Sequence, residues 1–380
     1  MLAYRACGCR GKPEGDSRHQ KQRRDCMETE RSMNADPETV NPAPGFARPL
    51  MDWYQAHHRD LPFRRDREPY HIWVSEIMAQ QTRIEAMVQY YDRFMTLFPT
   101  VQDLAAADED TLHRAWQGLG YYSRVRNLQK AAQIVARERM PRSKKELQTL
   151  PGIGPYTAGA IASISFGEKA AAVDGNVLRV FARLYDIRED VTKPAVKREI
   201  EARVLDAMIE PYGEFNQAIM ELGALVCTPG TPDCAGCPVN QWCLAKDPAS
   251  LPVLPEKKRK TEEEKTFLIY TDGYRMHLEK RPAKGLLAGL YGFPEGEVSK
   301  DTTGIHPLPR YDHVFTHKIW HIAGWLVPVE QGAMAQMYTP EEIEAGMAVP
   351  TAFQPLYKAA CRLLAEGIIG RERVSENTQD

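Results

Sequence analysis

The sequence predicts an all-α domain followed by a smaller α+β domain, and three observations carry that expectation. Residues 46–248 form successive helix-length segments bounded by Gly, Pro or Asp, with no sustained strand-like alternation. A stretch rich in proline and charge, 247–266, then interrupts the pattern and reads as an exposed linker. After Phe267 the pattern becomes one of strands and hairpins. A chain of 380 residues is long enough for two cores.

Taken in order, residues 1–45 are polar, charged and proline-bearing, without the apolar core of a secretory signal. They read as a disordered extension, with Met27 and Met33 as alternative starts. The run 70–98 places Trp73, Ile77, Ile84, Met87 and Tyr91 at helical spacing. The helical region extends over 46–226, a cysteine-bearing loop over 227–246, and the second domain over 267–370. In that domain "FLIYTDGYRMHLEKR" puts apolar alternation on both sides of Asp272-Gly273, a hairpin signal. "WHIAGWLVPV" is a further strand, "PLYKAACRLLAEGI" a closing helix, and 371–380 a tail. The longest apolar stretches, such as "AGAIASISF" (158–166), are far too short to span a bilayer. Residence in the cytoplasm, away from membranes, is expected.

Net charge is −2, which excludes wholesale electrostatic coating of nucleic acid. Any DNA contact must come from a local basic face, backbone donors or helix dipoles. Of eight cysteines, Cys7, Cys9, Cys26 and Cys361 are scattered, while Cys227, Cys234, Cys237 and Cys243 lie within seventeen residues. In a long chain without a secretory signal, clustered thiols point to metal rather than disulfides. Tetrahedral zinc and an iron–sulfur cube both accept four thiolates, and spacing alone does not choose between them.

"LPGIGPYTAGAIA" (150–162) follows the helical "SKKELQTL", with Gly152 and Gly154 allowing positive φ and Pro155 suiting a first helical turn. This is helix–hairpin–helix grammar. It aims backbone N–H groups outward at a helix N-terminus, where a DNA phosphate fits without side-chain charge. An ordinary turn between helices is the competing reading. Two carboxylates draw notice. Glu76, beside Trp73 and Ile77, has the apolar neighbours that raise a carboxyl pKa, although alone it reads as a polar-face glutamate. Asp174 opens "DGNVLRVFARL" as a helix N-cap, whose hydrogen bonds favour the ionised form. One neutral acid and one fixed anion are what glycosidic cleavage requires.

Together "WVSEIMAQQT" (73–82), "GLGYYSRVRNL" (118–128), "LPGIGPYTAGA", "VDGNVLRV" (173–180) and the cysteine spacing resemble the MutY adenine DNA glycosylases. The resemblance runs from about Pro49 to the linker and more weakly beyond. It implies a helix–hairpin–helix glycosylase domain, a 4Fe–4S cluster on the four cysteines, and double-stranded DNA as substrate, with adenine opposite 8-oxoguanine or guanine. It implies a monomer, nucleoid-associated in a bacterium. Glu76 falls on the family's general acid, which protonates ring nitrogen 7 of the flipped adenine. Asp174 falls on the carboxylate that stabilises the oxocarbenium ion, with Tyr156 and Asn176 as further site residues. Gln81 and Thr82 match residues inserted near the opposite base, and Tyr121 an aromatic wedge. The related endonuclease III has a strand-cutting lysine where this chain has Tyr156, which implies a monofunctional enzyme. A mismatch-specific or bifunctional glycosylase of that superfamily is the alternative. The second domain resembles the Nudix-like module of MutY. The residues after Glu295 lack the acidic run a Nudix hydrolase needs to hold Mg²⁺, so recognition rather than hydrolysis is implied. Phe315, Thr316 and His317 fall on the 8-oxoguanine reading loop, Thr316 in place of the usual serine. Phe63 stands where a tryptophan is expected.

Overall fold

The computed structural model describes residues 44–256, 258–298 and 303–367. Cys7, Cys9, Cys26, Met27, Met33 and the tail 371–380 lie outside them, as does all of the expected extension before Pro44. The first part is helical and the second carries a mixed sheet, as the sequence predicts. No described helix is long and apolar enough to cross a membrane.

Two apolar clusters support the helical part. One is built around Trp73, Phe94 and Trp116, the other around Phe46, Phe181 and Phe215. The run 70–98 is not one helix. It forms two, Pro69–Ala79 and Ile84–Leu97, broken where Gln81 takes φ of 59°. The break has a side-chain cause outside the run. Arg124 donates to the carbonyls of Ile77, Met78 and Gln80, which satisfies the end of the first helix from another element.

The predicted hairpin forms between the short helix Lys144–Leu147 and the helix Pro155–Phe166. Ser143 and Glu146 close a capping box at the first helix. Gly152 takes φ of 79°, and a Cβ there would lie 2.8 Å from Asn127 Cβ. Gly154 departs from expectation. At φ −85° it needs no left-handed freedom and acts instead as the N-cap before Pro155. The helix Tyr212–Leu225 passes close to the helix Gly175–Leu184. Gly223 allows that approach, because a Cβ would come within 2.7 Å of Asn176 Cβ.

The sheet has the order β5-β6-β1-β2-β7, with β1 Thr261–Thr271, β2 Met276–His277, β5 His306–Val314, β6 Lys318–Pro328 and β7 Met337–Tyr338. Strands β3 Glu279–Lys280 and β4 Tyr291–Gly292 form a separate pair. β1 and β6 run parallel from Thr261↔Lys318 to Thr271↔Pro328. Inward residues Trp320, Ile322 and Leu326 alternate along β6 and join Phe267, Phe293 and Phe353 in a third core, which the helix Gln354–Ala365 covers.

Three differences from the sequence reading have physical causes. β1 starts at Thr261, inside the expected linker, because its charged residues find partners: Glu263 with Lys318 and Trp320, Lys265 with Glu295. The hairpin at Asp272-Gly273 has four loop residues rather than two, with Asp272 accepting from the Tyr274 and Arg275 N–H groups. β5 lies outside the strands the sequence predicts and carries two prolines, Pro307 and Pro309, the second within the bulge between Leu308 and Tyr311. The strand lies at the sheet edge, where missing N–H donors are tolerated.

Candidate active site

A cavity of about 690 Å³ opens between the helices Pro69–Ala79, Pro155–Phe166, Gly175–Leu184 and Tyr212–Leu225. Glu76, Gln81, Thr82, Gly152, Gly154, Tyr156, Asp174 and Asn176 all border it. Residues separated by up to a hundred positions thus meet in one place, because the two helices that carry Glu76 and Tyr156 pack side by side.

The Tyr156 hydroxyl lies 2.5 Å from Glu76 Oε2, as donor, and 3.4 Å from Met220 Sδ. Burial pushes Glu76 up to about 7, against the pull of the Tyr156 hydrogen bond and with a further push from the Asp174 charge. Asp174 caps the helix Gly175–Leu184. Its Oδ1 accepts from Val177 N–H at 2.8 Å and its Oδ2 from Asn176 Nδ2 at 2.8 Å. Burial nevertheless raises Asp174 above the ordinary carboxylate value. The donors oppose this, as an N-cap should, without outweighing it. Asn176 Oδ1 accepts from Arg179, whose Nε donates 2.8 Å to the Cys227 carbonyl.

Three charged residues in the cavity wall escaped the sequence reading. Glu221 is fully buried and accepts from Arg59 and Arg64, with nitrogen–oxygen distances of 2.8 Å to each. Burial alone would raise its pKa, but the two guanidiniums hold it near 2. Only the arginine-rich run 59–67 and a lone glutamate in the apolar "QAIMELGAL" hinted at this cluster.

Cys227, Cys234, Cys237 and Cys243 are free thiols that border one shared cavity at the end of the helix Tyr212–Leu225. Among the described residues, no group of three or more His, Cys, Asp or Glu side chains is placed to hold a single metal ion. The cavity wall carries the four thiol sulfurs together with Asp233 and Asn240, and four thiolates are a donor set that an iron–sulfur cluster accepts, as zinc does. Arg183, fully buried, binds the loop by donating to Thr228 O at 2.8 Å and Leu251 O at 3.0 Å, with Cys227 Sγ at 3.3 Å.

The remaining predicted residues sit at a second cavity, of about 600 Å³, between the helical part and the sheet. Tyr121, with φ of 47°, reaches across it to hydrogen-bond the Thr316 hydroxyl. Phe315 is less free than its neighbours. Its ring sits 4.5 Å from His313 and 4.9 Å from Trp320, while Thr316 and His317 stay exposed on the turn between β5 and β6.

Comparison with known proteins follows the same division. A family model for the HhH-GPD superfamily base excision DNA repair proteins matches residues 74–204, and one for the NUDIX domain matches 265–359. An adenine DNA glycosylase of Buchnera aphidicola (Schizaphis graminum) is 32% identical over 300 residues, covering 75% of this chain and 86% of that protein. The chain belongs to the adenine DNA glycosylase family. The human adenine DNA glycosylase is 46% identical over 215 residues, 53% of this chain and 39% of that protein. The chain likewise spans 62% of the rat relative's length. A thermostable thymine-DNA glycosylase structure aligns with 52% of the chain at 28% identity and a TM-score of 0.47, covering 94% of that structure. In this family member the glycosylase match encloses Glu76, Tyr156 and Asp174, and the NUDIX match encloses the turn at Thr316.

Proposed function

We propose that this chain removes adenine from double-stranded DNA by hydrolysing its N-glycosidic bond, acting on adenine opposite 8-oxoguanine or guanine in base excision repair. The observation that carries the reading is Glu76, held near pKa 7 in one cavity with the helix-capping Asp174. At neutral pH such an acid is partly protonated and able to donate. The extruded adenine enters the cavity and takes the Glu76 proton at ring nitrogen 7. The bond from C1′ to the base then breaks, its electron pair leaving with the neutral adenine. Asp174 stabilises the cationic sugar, and water forms the new bond to C1′ and returns a proton to the Glu76 carboxylate, which completes the abasic site. Tyr156 positions the Glu76 carboxyl, and Asn176 the Asp174 carboxylate. No lysine stands at position 156, so the strand remains intact.

The helix Pro155–Phe166 has no side-chain cap, which leaves its first turn for a DNA phosphate. Gln81, Thr82 and Tyr121 enter the duplex, offsetting a few kcal/mol of unstacking, roughly, by their own contacts. Cys227, Cys234, Cys237 and Cys243 would hold a 4Fe–4S cluster, which supplies iron–thiolate cross-links to the loop 227–246. The sheet domain reads the partner base through Thr316 and His317, with Phe315 anchoring the turn, and does not hydrolyse nucleotides. The protein works as a cytoplasmic monomer.

Base release from duplexes with adenine opposite 8-oxoguanine, guanine or thymine tests this. Adenine release opposite the first two, with an unbroken strand until alkali is added, is expected. No release, or a borohydride-trapped adduct, overturns the reading.

A further inference from the structure

Two non-glycine residues at the mouths of the two cavities hold left-handed backbone, Gln81 at φ 59° and Tyr121 at φ 47°. Such conformations are uncommon for residues with a Cβ and persist only where surrounding structure enforces them. Both side chains are exposed, and although the Tyr121 hydroxyl meets Thr316, burial of neither side chain enforces the conformation. The enforcing contact is shared. Arg124 Nη1 donates to the carbonyl of Gln80, the residue before Gln81, and to Ile77 O at 3.0 Å. Arg124 Nη2 donates to the carbonyl of Gly120, the residue before Tyr121, at 3.2 Å, and to Leu119 O at 2.9 Å. The guanidinium lies 5.4 Å from the Trp116 ring centroid and 5.3 Å from that of Tyr121. Trp116 Nε1 donates to the same Gly120 carbonyl at 2.9 Å.

All the acceptors of this cation are main-chain carbonyls. Its role is therefore geometric, and the planar fork of an arginine suits it where the point charge of a lysine does not. We propose that Arg124 is a positioning residue that fixes the Gln81 and Tyr121 turns at one spacing, so that both side chains enter the duplex together and the adenine is extruded toward Glu76. The inference rests on the adenine-excision reading above. Without the shared guanidinium, each turn relaxes separately, and insertion at one strand no longer fixes insertion at the other. Misplacement of this kind, remote from the reacting atoms, costs about 100-fold in rate.

The test uses full-length Arg124→Lys on duplex DNA with 2-aminopurine beside the target adenine, whose fluorescence rises on unstacking. Helix content should be kept, and the pH dependence of excision should be unchanged because Glu76 is untouched. The unstacking signal should be lost and first-turnover excision should fall about 100-fold. A folded variant that unstacks and excises like wild type overturns the proposal, as does one whose pH dependence moves with its rate. A second variant guards against loss of the fold. Gly120→Ala, which has open space for its Cβ but sits at φ 67°, disturbs the second turn from its own side. Loss of hydrogen-exchange protection should then reach Thr82, whose N–H donates to Ala79 O at 3.3 Å. Loss confined to 119–122 overturns the coupling. Wild-type protein that fails to release adenine would refute the underlying reading, and exchange in Gly120→Ala would still decide the role of Arg124.

Discussion

Tyr156→Phe separates the role of the hydroxyl from that of the ring. The Tyr156 O–H donates to Glu76 and so favours the carboxylate, pulling against the burial that raises Glu76 to about 7. A hydrogen bond to a charged group nets about 1.5–3 kcal/mol. At 1.36 kcal/mol per pKa unit, its loss would raise Glu76 by roughly 1–2 pH units. Glu76 borders an open cavity, so a water takes over part of the bond, and about one unit is the expected rise. Glu76 must be protonated to act. Activity therefore falls as pH rises through its pKa, near 7 in wild type and near ~8 in the variant. The assay is single-turnover adenine release across pH 5 to about 9, with DNA saturating so that binding does not contribute. The variant should be slower at its optimum through looser positioning, but active further into alkali. An alkaline limb that stays in place, or moves down, would refute the argument, because the hydroxyl would then not be stabilising the carboxylate.

Glu76→Gln should lower excision by about 10²–10⁴-fold while leaving DNA binding, since the amide keeps hydrogen bonds but carries no transferable proton. The same change should stabilise the fold in alkali: a glutamate raised from 4.5 to about 7 is favourable below 4.5 and loses about 3 kcal/mol as pH rises through 7. The melting temperature of Glu76→Gln should exceed wild type at pH 8 and match it at pH 4, which calorimetry or circular dichroism reads. Cys237→Ala should abolish the broad absorption near ~400 nm expected of thiolate-bound iron and loosen the 227–243 loop to proteolysis, because the ligands organise that loop. Thr316→Val keeps the shape of the turn and removes the hydroxyl that meets Tyr121; the ratio of excision opposite 8-oxoguanine to that opposite guanine should fall, and an unchanged ratio would assign the reading elsewhere.

What the sequence made legible was whatever short-range pattern encodes. Helix periodicity, the Gly-Pro hairpin string, the Asp174 cap and the cysteine cluster all depend on neighbours within a few positions. What it concealed depends on partners far along the chain. The helix break at Gln80 is imposed by Arg124, some forty positions away, and the run 70–98 contains no proline or glycine to announce it. The charged start of β1 reads as linker until Lys318 and Trp320 supply partners. β5 carries two prolines that an edge position and a bulge tolerate, and both depend on how the whole sheet pairs. Asp174 shows the same limit in its electrostatics. Its local hydrogen bonds were predictable and argue for a low pKa, but the burial that raises it comes from elements the cap motif does not contain.

The same long-range packing gives one cavity two glutamates of opposite character. Glu76 and Glu221 both border it, on helices separated by well over a hundred residues, and their pKa values stand near 7 and near 2. Burial pushes both upward. The difference lies in their partners: Glu221 takes the guanidiniums of Arg59 and Arg64, whereas Glu76 has a neutral tyrosine hydroxyl. Arg64 faces both, and its charge lowers Glu76. Its hydrogen bond to Glu221 directs the charge away, and Arg64 remains the weakest of the influences named for Glu76. The buried ion pair is thus better understood as setting the acidity of its neighbour than as a source of stability, since desolvation largely cancels what such pairs contribute to folding. Glu221→Gln would leave Arg64 without its anion, and Glu76 should then ionise at lower pH. The alkaline limb of excision would move down, opposite in direction to the effect of Tyr156→Phe. A limb that did not move would mean that Arg64 is already too well shielded from Glu76 to matter.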